Sequence, residues 1–235
     1  CWDTPKCIGD VPSRRSGHSF VVVGDTAYLF GGNDFRKPPG PNNELFKLDM
    51  TGNEYYWTKL ETSGRAPEPR SHHTATVVFG SKIFLFGGFR SSATRYNDVW
   101  ILDTTTDEWS QPHAGVTETK GDGEVVFKRQ WPEVPMPRGA HSATLVGSQM
   151  YIFGGYGGDG SDGSDGSGMY GLMNDLYRFD PNNLFWTYMD ASSGHLPPRR
   201  AGHVMIADPT TSPELTPLHH KYIYLFGGRG DTQTG

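Results

Sequence analysis

Four histidines, His18, His73, His141 and His203, each follow an arginine by three residues: Arg15, Arg70, Arg138 and Arg200. Imidazole is a common metal ligand and guanidinium is a fork of five N–H donors, so a metal centre and a carbonyl clamp are the first chemistries to weigh. Recurrence decides between them. Residues at the same place in successive units of a repeat are set apart in space rather than gathered, so the histidines are expected to be structural. The arginines are expected to bond backbone carbonyls between neighbouring units. Asp159, Asp162 and Asp165 punctuate the Gly/Ser run GGDGSDGSDGSG at 157–168. Calcium loops place their acids two apart and close with a distal Glu, so this run reads instead as a solvated loop. Arg229-Gly230-Asp231 matches the tripeptide that integrins recognise, which opens an extracellular adhesion reading; Gly230 as a turn former accounts for the triplet more simply.

The elements that position these residues repeat as well. An aromatic apolar run ends in a glycine pair four times, at Gly31-Gly32, Gly87-Gly88, Gly154-Gly155 and Gly227-Gly228. After the first three pairs come NELFKLD (43–49), NDVWILD (97–103) and NDLYRFD (174–180), then Trp57, Trp109 and Trp186. Successive pairs stand 56, 67 and 73 residues apart. The differences lie between the apolar segments, where loops tolerate insertion. Each unit reads as four strands. The first is β-branched (SFVVVG from Ser19, TATVVFG from Thr74), and the second is apolar at nearly every position, as suits a strand covered on both faces. The third carries Leu45, Phe46 and Leu48 or their counterparts, and the fourth starts at the tryptophan. A lone four-stranded sheet has two wet faces, so such units stack, and radial stacking gives a propeller.

Paired glycines, a following aromatic and a downstream tryptophan resemble the kelch repeat over nearly the whole chain. The resemblance implies an all-β, kelch-type β-propeller of four-stranded antiparallel blades, here three full blades and two partial ones. Blades are expected at 17–61, 72–111 with an insert at 112–137, and 141–190, with half a blade at 203–235. Residues 1–16 read as the last strand of a preceding blade and a linker, because Trp2 stands 13 residues before Arg15 just as Trp57 stands 13 before Arg70. The remaining blades are then expected from a longer chain. Galactose oxidase resembles this fold and uses copper with a cross-linked tyrosine and cysteine. Here the only cysteines are Cys1 and Cys7, at the start of the sequence, and imidazole or soft copper ligands are not clustered, so no cofactor is expected.

Length and charge bound the function classes. The 235 residues include 31 glycines and 17 prolines and carry a formal charge of −5, which gives no electrostatic reason for a nucleic-acid partner. No apolar run approaches the roughly 18 residues of a membrane helix, so no membrane partner is expected. The first ten residues lack a basic start and an apolar core, and two neighbouring cysteines make no disulfide framework, so an intracellular, cytoplasmic or cytoskeletal setting is expected. By its resemblance the chain is a non-enzymatic protein-interaction scaffold within a larger protein or assembly. Its partners are expected to be proteins that meet loops 33–42, 89–96, 111–137 and 156–173 on one face. Phe35, Arg36, Lys37, Phe89, Arg90, Arg95, Tyr96, Tyr156 and Arg229 combine rings with cations there, which suits acidic or phosphorylated segments.

Overall fold

The computed structural model describes residues 5–36, 39–113, 117–119, 125–127, 134–158, 171–190, 196–208 and 222–230, and among them every regular element is a β-strand. In the first blade, Ser19–Val23, Thr26–Phe30, Leu45–Asp49 and Tyr55–Leu60 pair in order as antiparallel neighbours. Thr74–Val78, Lys82–Phe89, Arg95–Asp103 and Glu108–His113 make the second. The third has Ser142–Val146, Gln149–Gly157, Gly171–Asp180 and Phe185–Tyr188. Arg200–Ala207 and Ile223–Gly230 form a further antiparallel pair.

The unbroken apolar second strand is explained by a blade on each side of it. Side chains of a strand alternate between faces. In the second blade Ile83 and Leu85 pack with Tyr28, Phe30 and Leu45 of the first, while Phe84 and Phe86 pack with Met150, Ile152 and Phe179 of the third. Parity therefore divides one run between two cores. The tryptophans cross the same seams. Trp109 lies 5.2 Å, centroid to centroid, from Phe30 of the preceding blade, and Trp186 lies 4.9 Å from Phe86. Trp57, Trp109 and Trp186 sit at the second or third position of their strands instead of opening them, because the residue before each still pairs with the aspartate that ends the third strand, Asp49, Asp103 or Asp180.

Two details sharpen the boundaries. The fourth strand of the second blade runs to His113, two residues into the segment read as an insert, and within that segment 117–119 pairs with 125–127. Cys7–Gly9 lies parallel to Tyr55–Trp57 as an added outer strand. Its counterpart one unit later is the parallel bridge from Ser63 to Glu108. The linker of one unit thus hugs the outer strand of the next. Trp2 lies outside the described residues.

At both ends the packing stops. Phe20 and Val22 of the first blade are half exposed, and on the final pair Val204, Ile206, Tyr224 and Phe226 are 63%, 64%, 56% and 80% exposed.

Candidate functional site

The repeated residues converge on the seams between blades. Gly87 and Gly154, the first glycines of their pairs, fall at a register shift between the second and third strands of the blade and have a left-handed φ, +67° and +61°. A Cβ on Gly31, Gly87 or Gly154 would lie 2.7 or 2.8 Å from the carbonyl oxygen of Arg70, Arg138 or Arg200 of the next unit. The second glycine makes room inside its own blade: a Cβ on Gly88 would meet the Ser71 carbonyl at 2.9 Å and the His73 Cβ at 3.0 Å. One glycine admits the neighbour and the other admits the home blade's histidine.

Three of the four histidines, His73, His141 and His203, are engaged at a seam. His73 Nε2 lies 2.9 Å from Ser19 Oγ, His141 Nε2 2.8 Å from Thr74 Oγ1, and His203 Nε2 2.7 Å from Ser142 Oγ. The three rings also stand edge-on to Phe30, Phe86 and Phe153, 5.3 to 5.5 Å away. Burial pushes His73 from 6.5 down to about 3, helped by the charge of Arg70, and pushes His141 well down in the same way. Among the described residues no three His, Cys, Asp or Glu are grouped to hold a metal ion. A main-chain row crosses the same seams: His72 N–H donates to Gly17 O, Ala140 N–H to His72 O and Gly202 N–H to Ala140 O, at 2.6 to 2.8 Å.

The arginines correct an expectation. Their side chains act within their own blade: Arg70 donates to Glu68 O and Gly87 O and grips Asp98 through both terminal nitrogens at 2.6 and 2.9 Å. Arg138 repeats this with Met136 O, Gly154 O and Asp175. It is the main chain of Arg70 that joins blades, its carbonyl accepting from Gly32 N–H and its N–H donating to Asn42 O. The guanidiniums of Arg70 and Arg138 are fully buried, so a carboxylate and carbonyls at home compensate the charge before a neighbour could. Asp98 and Asp175 were visible in the sequence only as strand residues of the repeated NDV and NDL.

The first blade departs from this pattern. Glu44 replaces the aspartate, and its longer stem reaches Arg15, Arg36 and Lys59 at 2.9 to 3.1 Å. Arg36 also binds the buried Asp34, whose carboxyl these hydrogen bonds hold far below the usual range. The network floors a cavity of about 620 Å³ whose lining includes Asp34, Arg36, Asn42, Glu44, Pro69 and Arg90. Loops of two blades and the linker between them therefore do open on one face.

Of the residues singled out from the sequence, Arg36 and Arg90 line this cavity, and Phe35 is exposed beside it. Arg95 sits 5.7 Å from the Phe89 ring and 5.3 Å from that of Tyr156 in the next blade, and Tyr96 lies under Arg70 at 4.0 Å. Tyr96 is thus a packing residue. Arg229 is exposed and, with Gly230, belongs to a strand paired to Arg200 and Ala201, which corrects the turn expected there. Lys37, Asp231, Asp159, Asp162 and Asp165 lie outside the described residues. The sequence reading missed His72, whose ring packs on Phe89 at 5.7 Å, and also Asn42 and Glu44.

Comparisons with known proteins agree with this geometry. The KLHDC2/KLHL20/DRC7 Kelch-repeats domain matches residues 57–235. Human host cell factor 1 is 33% identical over 223 residues, 87% of this chain and 10% of that protein. Rat Kelch domain-containing protein 3 is 30% identical over 216 residues, 88% of this chain and 49% of its own length. The flagellar outer-arm dynein alpha chain of Chlamydomonas reinhardtii is 34% identical over 157 residues, 66% of this chain and 3% of that one. The chain spans at most about half the length of these relatives. The solved structure of YjhT superposes with a TM-score of 0.55 at 17% identity, over 82% of this chain and 56% of that one, a likeness of fold. With blade-by-blade glycine pairs, seam histidines and arginine clamps in the same places, the chain belongs to the kelch-repeat family and forms part of a kelch β-propeller.

Proposed function

We propose that the loop face between the first and third blades is a protein-docking surface, and that the chain serves as a non-enzymatic scaffold module of a larger intracellular protein or assembly. Kelch modules of this family are protein-interaction domains. Relatives as unlike in name as a host cell factor and a flagellar dynein chain carry the same propeller segment, which fits an adaptor, cytoskeletal or ciliary scaffold. The observation that carries the reading is the run of Arg36, Arg90, Phe89, Arg95 and Tyr156 across two seams on the same side. Rings beside guanidiniums on a rigid support are the chemistry of interface hot spots, and the cationic excess suits acidic or phosphorylated partner segments.

Affinity capture with quantitative mass spectrometry tests this on the intact chain. Phe35→Ser combined with Tyr156→Ser is expected to lose a specific set of proteins that Phe79→Asn retains. Phe79 is half exposed in the turn between the first two strands of the second blade, with φ +54°, a conformation Asn tolerates. Equal recovery by the wild type and the double variant, or loss only with Phe79→Asn, would overturn the reading.

A further inference from the structure

Three seams repeat one polar contact, and the last open face lacks half of it. Ser19, Thr74 and Ser142 each come directly after a repeated histidine, and strand alternation turns them to the side of the following blade. There their hydroxyls lie 2.7 to 2.9 Å from the Nε2 of His73, His141 and His203. The receiving imidazoles are buried, so the hydroxyl stands in for water. At the third seam a second hydroxyl takes part: Thr144 Oγ1, two residues past Ser142, accepts from Ala207 N–H at 3.1 Å.

On the final strand pair the same two places hold Val204 and Ile206, one and three residues after His203. Both are exposed. Val204 pairs with Phe226 as Thr74 pairs with Phe86, so the ring that meets the incoming histidine edge-on at the second seam has its counterpart here. The aromatic half of the socket is kept and the hydroxyl half is gone. A histidine seated on it would bury Nε2 against methyl groups, at a loss of roughly tenfold to a hundredfold in stability. An aliphatic side chain would pack on Val204 and Phe226 alike.

The missing hydroxyl also sorts the occupants. Among the described residues, a second copy of the chain offers one comparable open face, the outer side of its first blade, where Phe20 and Val22 are half exposed and His18 holds the histidine place. Docked in seam register, that His18 would meet Val204. We infer that Val204 selects the blade that covers this face: a further blade carrying Leu, Ile, Val or Met where His73, His141 and His203 stand, and not the first blade of a second copy. A blade packed there continues the three seams already described; Val204 decides which blade is accepted, by rejecting the polar partner that its counterparts require.

Urea titrations of the intact chain test the rule at the second seam, where Thr74→Val recreates the Val204 socket. Thr74→Val is expected to raise the unfolding constant roughly tenfold. His141→Leu is expected to cost at least about fivefold less in the Thr74→Val background than in the wild type, because the apolar pair then matches. Equal costs in the two backgrounds would overturn the inference. The face itself is tested by Val204→Thr in a polypeptide that continues into a further blade. A lowered urea midpoint is expected, since the added hydroxyl meets an apolar side chain. An unchanged or raised midpoint would overturn the inference, a raised one by placing a histidine across the seam. Wild-type dimers of the chain that His18→Leu weakens would seat His18 on Val204 and overturn it as well.

Discussion

The Nε2 of His141 lies 2.8 Å from the Thr74 hydroxyl across the seam between the second and third blades. His141 is buried, so its nitrogen has no water to fall back on. Thr74→Val keeps the side chain's shape and removes the partner, and is expected to cost about 1–3 kcal/mol. Thr74→Ser, the residue used at Ser19 and Ser142, keeps the hydroxyl and is expected to cost less. Urea midpoints at constant m-value measure the difference. Equal costs would mean the bond contributes nothing.

The seam histidines set an acid limit. His73 is held at about 3 in the folded chain against 6.5 when unfolded, and His141 is lowered in the same direction. Between those values the unfolded state binds the extra proton, so stability is complete above about pH 6.5 and falls as pH drops toward 3. His73 contributes a slope of up to about 1.4 kcal/mol per pH unit in that window, and His141 acts in the same direction. His73→Gln is expected to flatten the dependence of the unfolding midpoint between pH 6 and 4. An unchanged slope would place its protonation elsewhere.

The repeat was legible because its determinants are local. Gly87, His141 and Trp186 recur at fixed places in every unit, so repetition alone marked them as structural, and their contacts across the seams appear only once the blades are packed. What register hides is direction. Whether Arg70 points to its own Gly87 or to a neighbour depends on where a carboxylate lies, and Asp98 looked like one more strand residue. The docking face was legible only as composition: Arg90 and Tyr96 are six apart, yet one opens on a cavity and the other is pinned beneath Arg70. Glu44 escaped notice because a Glu for Asp exchange is conservative in charge, and only its reach to Arg36 and Lys59 sets it apart.

The arginine clamps predict an asymmetry between blades. Arg138 makes four hydrogen bonds at full burial, and a lysine has one nitrogen to place among acceptors spread around a plane. Arg138→Lys is expected to cost about 2–4 kcal/mol. Arg200 has the carbonyls of Pro198 and Gly227 but no carboxylate among the described residues, in exposed surroundings. Arg200→Lys is expected to cost under about 1 kcal/mol. Paired denaturant titrations check both, and similar losses would show that the Asp175 contact adds no stability.

The glycine pairs carry the sharpest test of how blades join. Gly80 and Gly87 both have left-handed φ, +72° and +67°, so an alanine at either meets the same backbone penalty of about 1 kcal/mol. At Gly80 the added Cβ has nothing within 4 Å, whereas at Gly87 it meets the Arg138 carbonyl at 2.7 Å. That oxygen belongs to backbone held by the next blade, so it cannot swing aside. Gly87→Ala is therefore expected to cost several kcal/mol more than Gly80→Ala and to part the second seam. Gly227, at φ +72°, holds the same place in the final strand pair but has nothing within 4 Å among the described residues, and Val204 stands where Ser19, Thr74 and Ser142 offer a hydroxyl. In a polypeptide where a further blade covers Phe226, Gly227→Ala should cost as much as Gly87→Ala. A cost no greater than that of Gly80→Ala in that longer polypeptide would mean that no blade docks there.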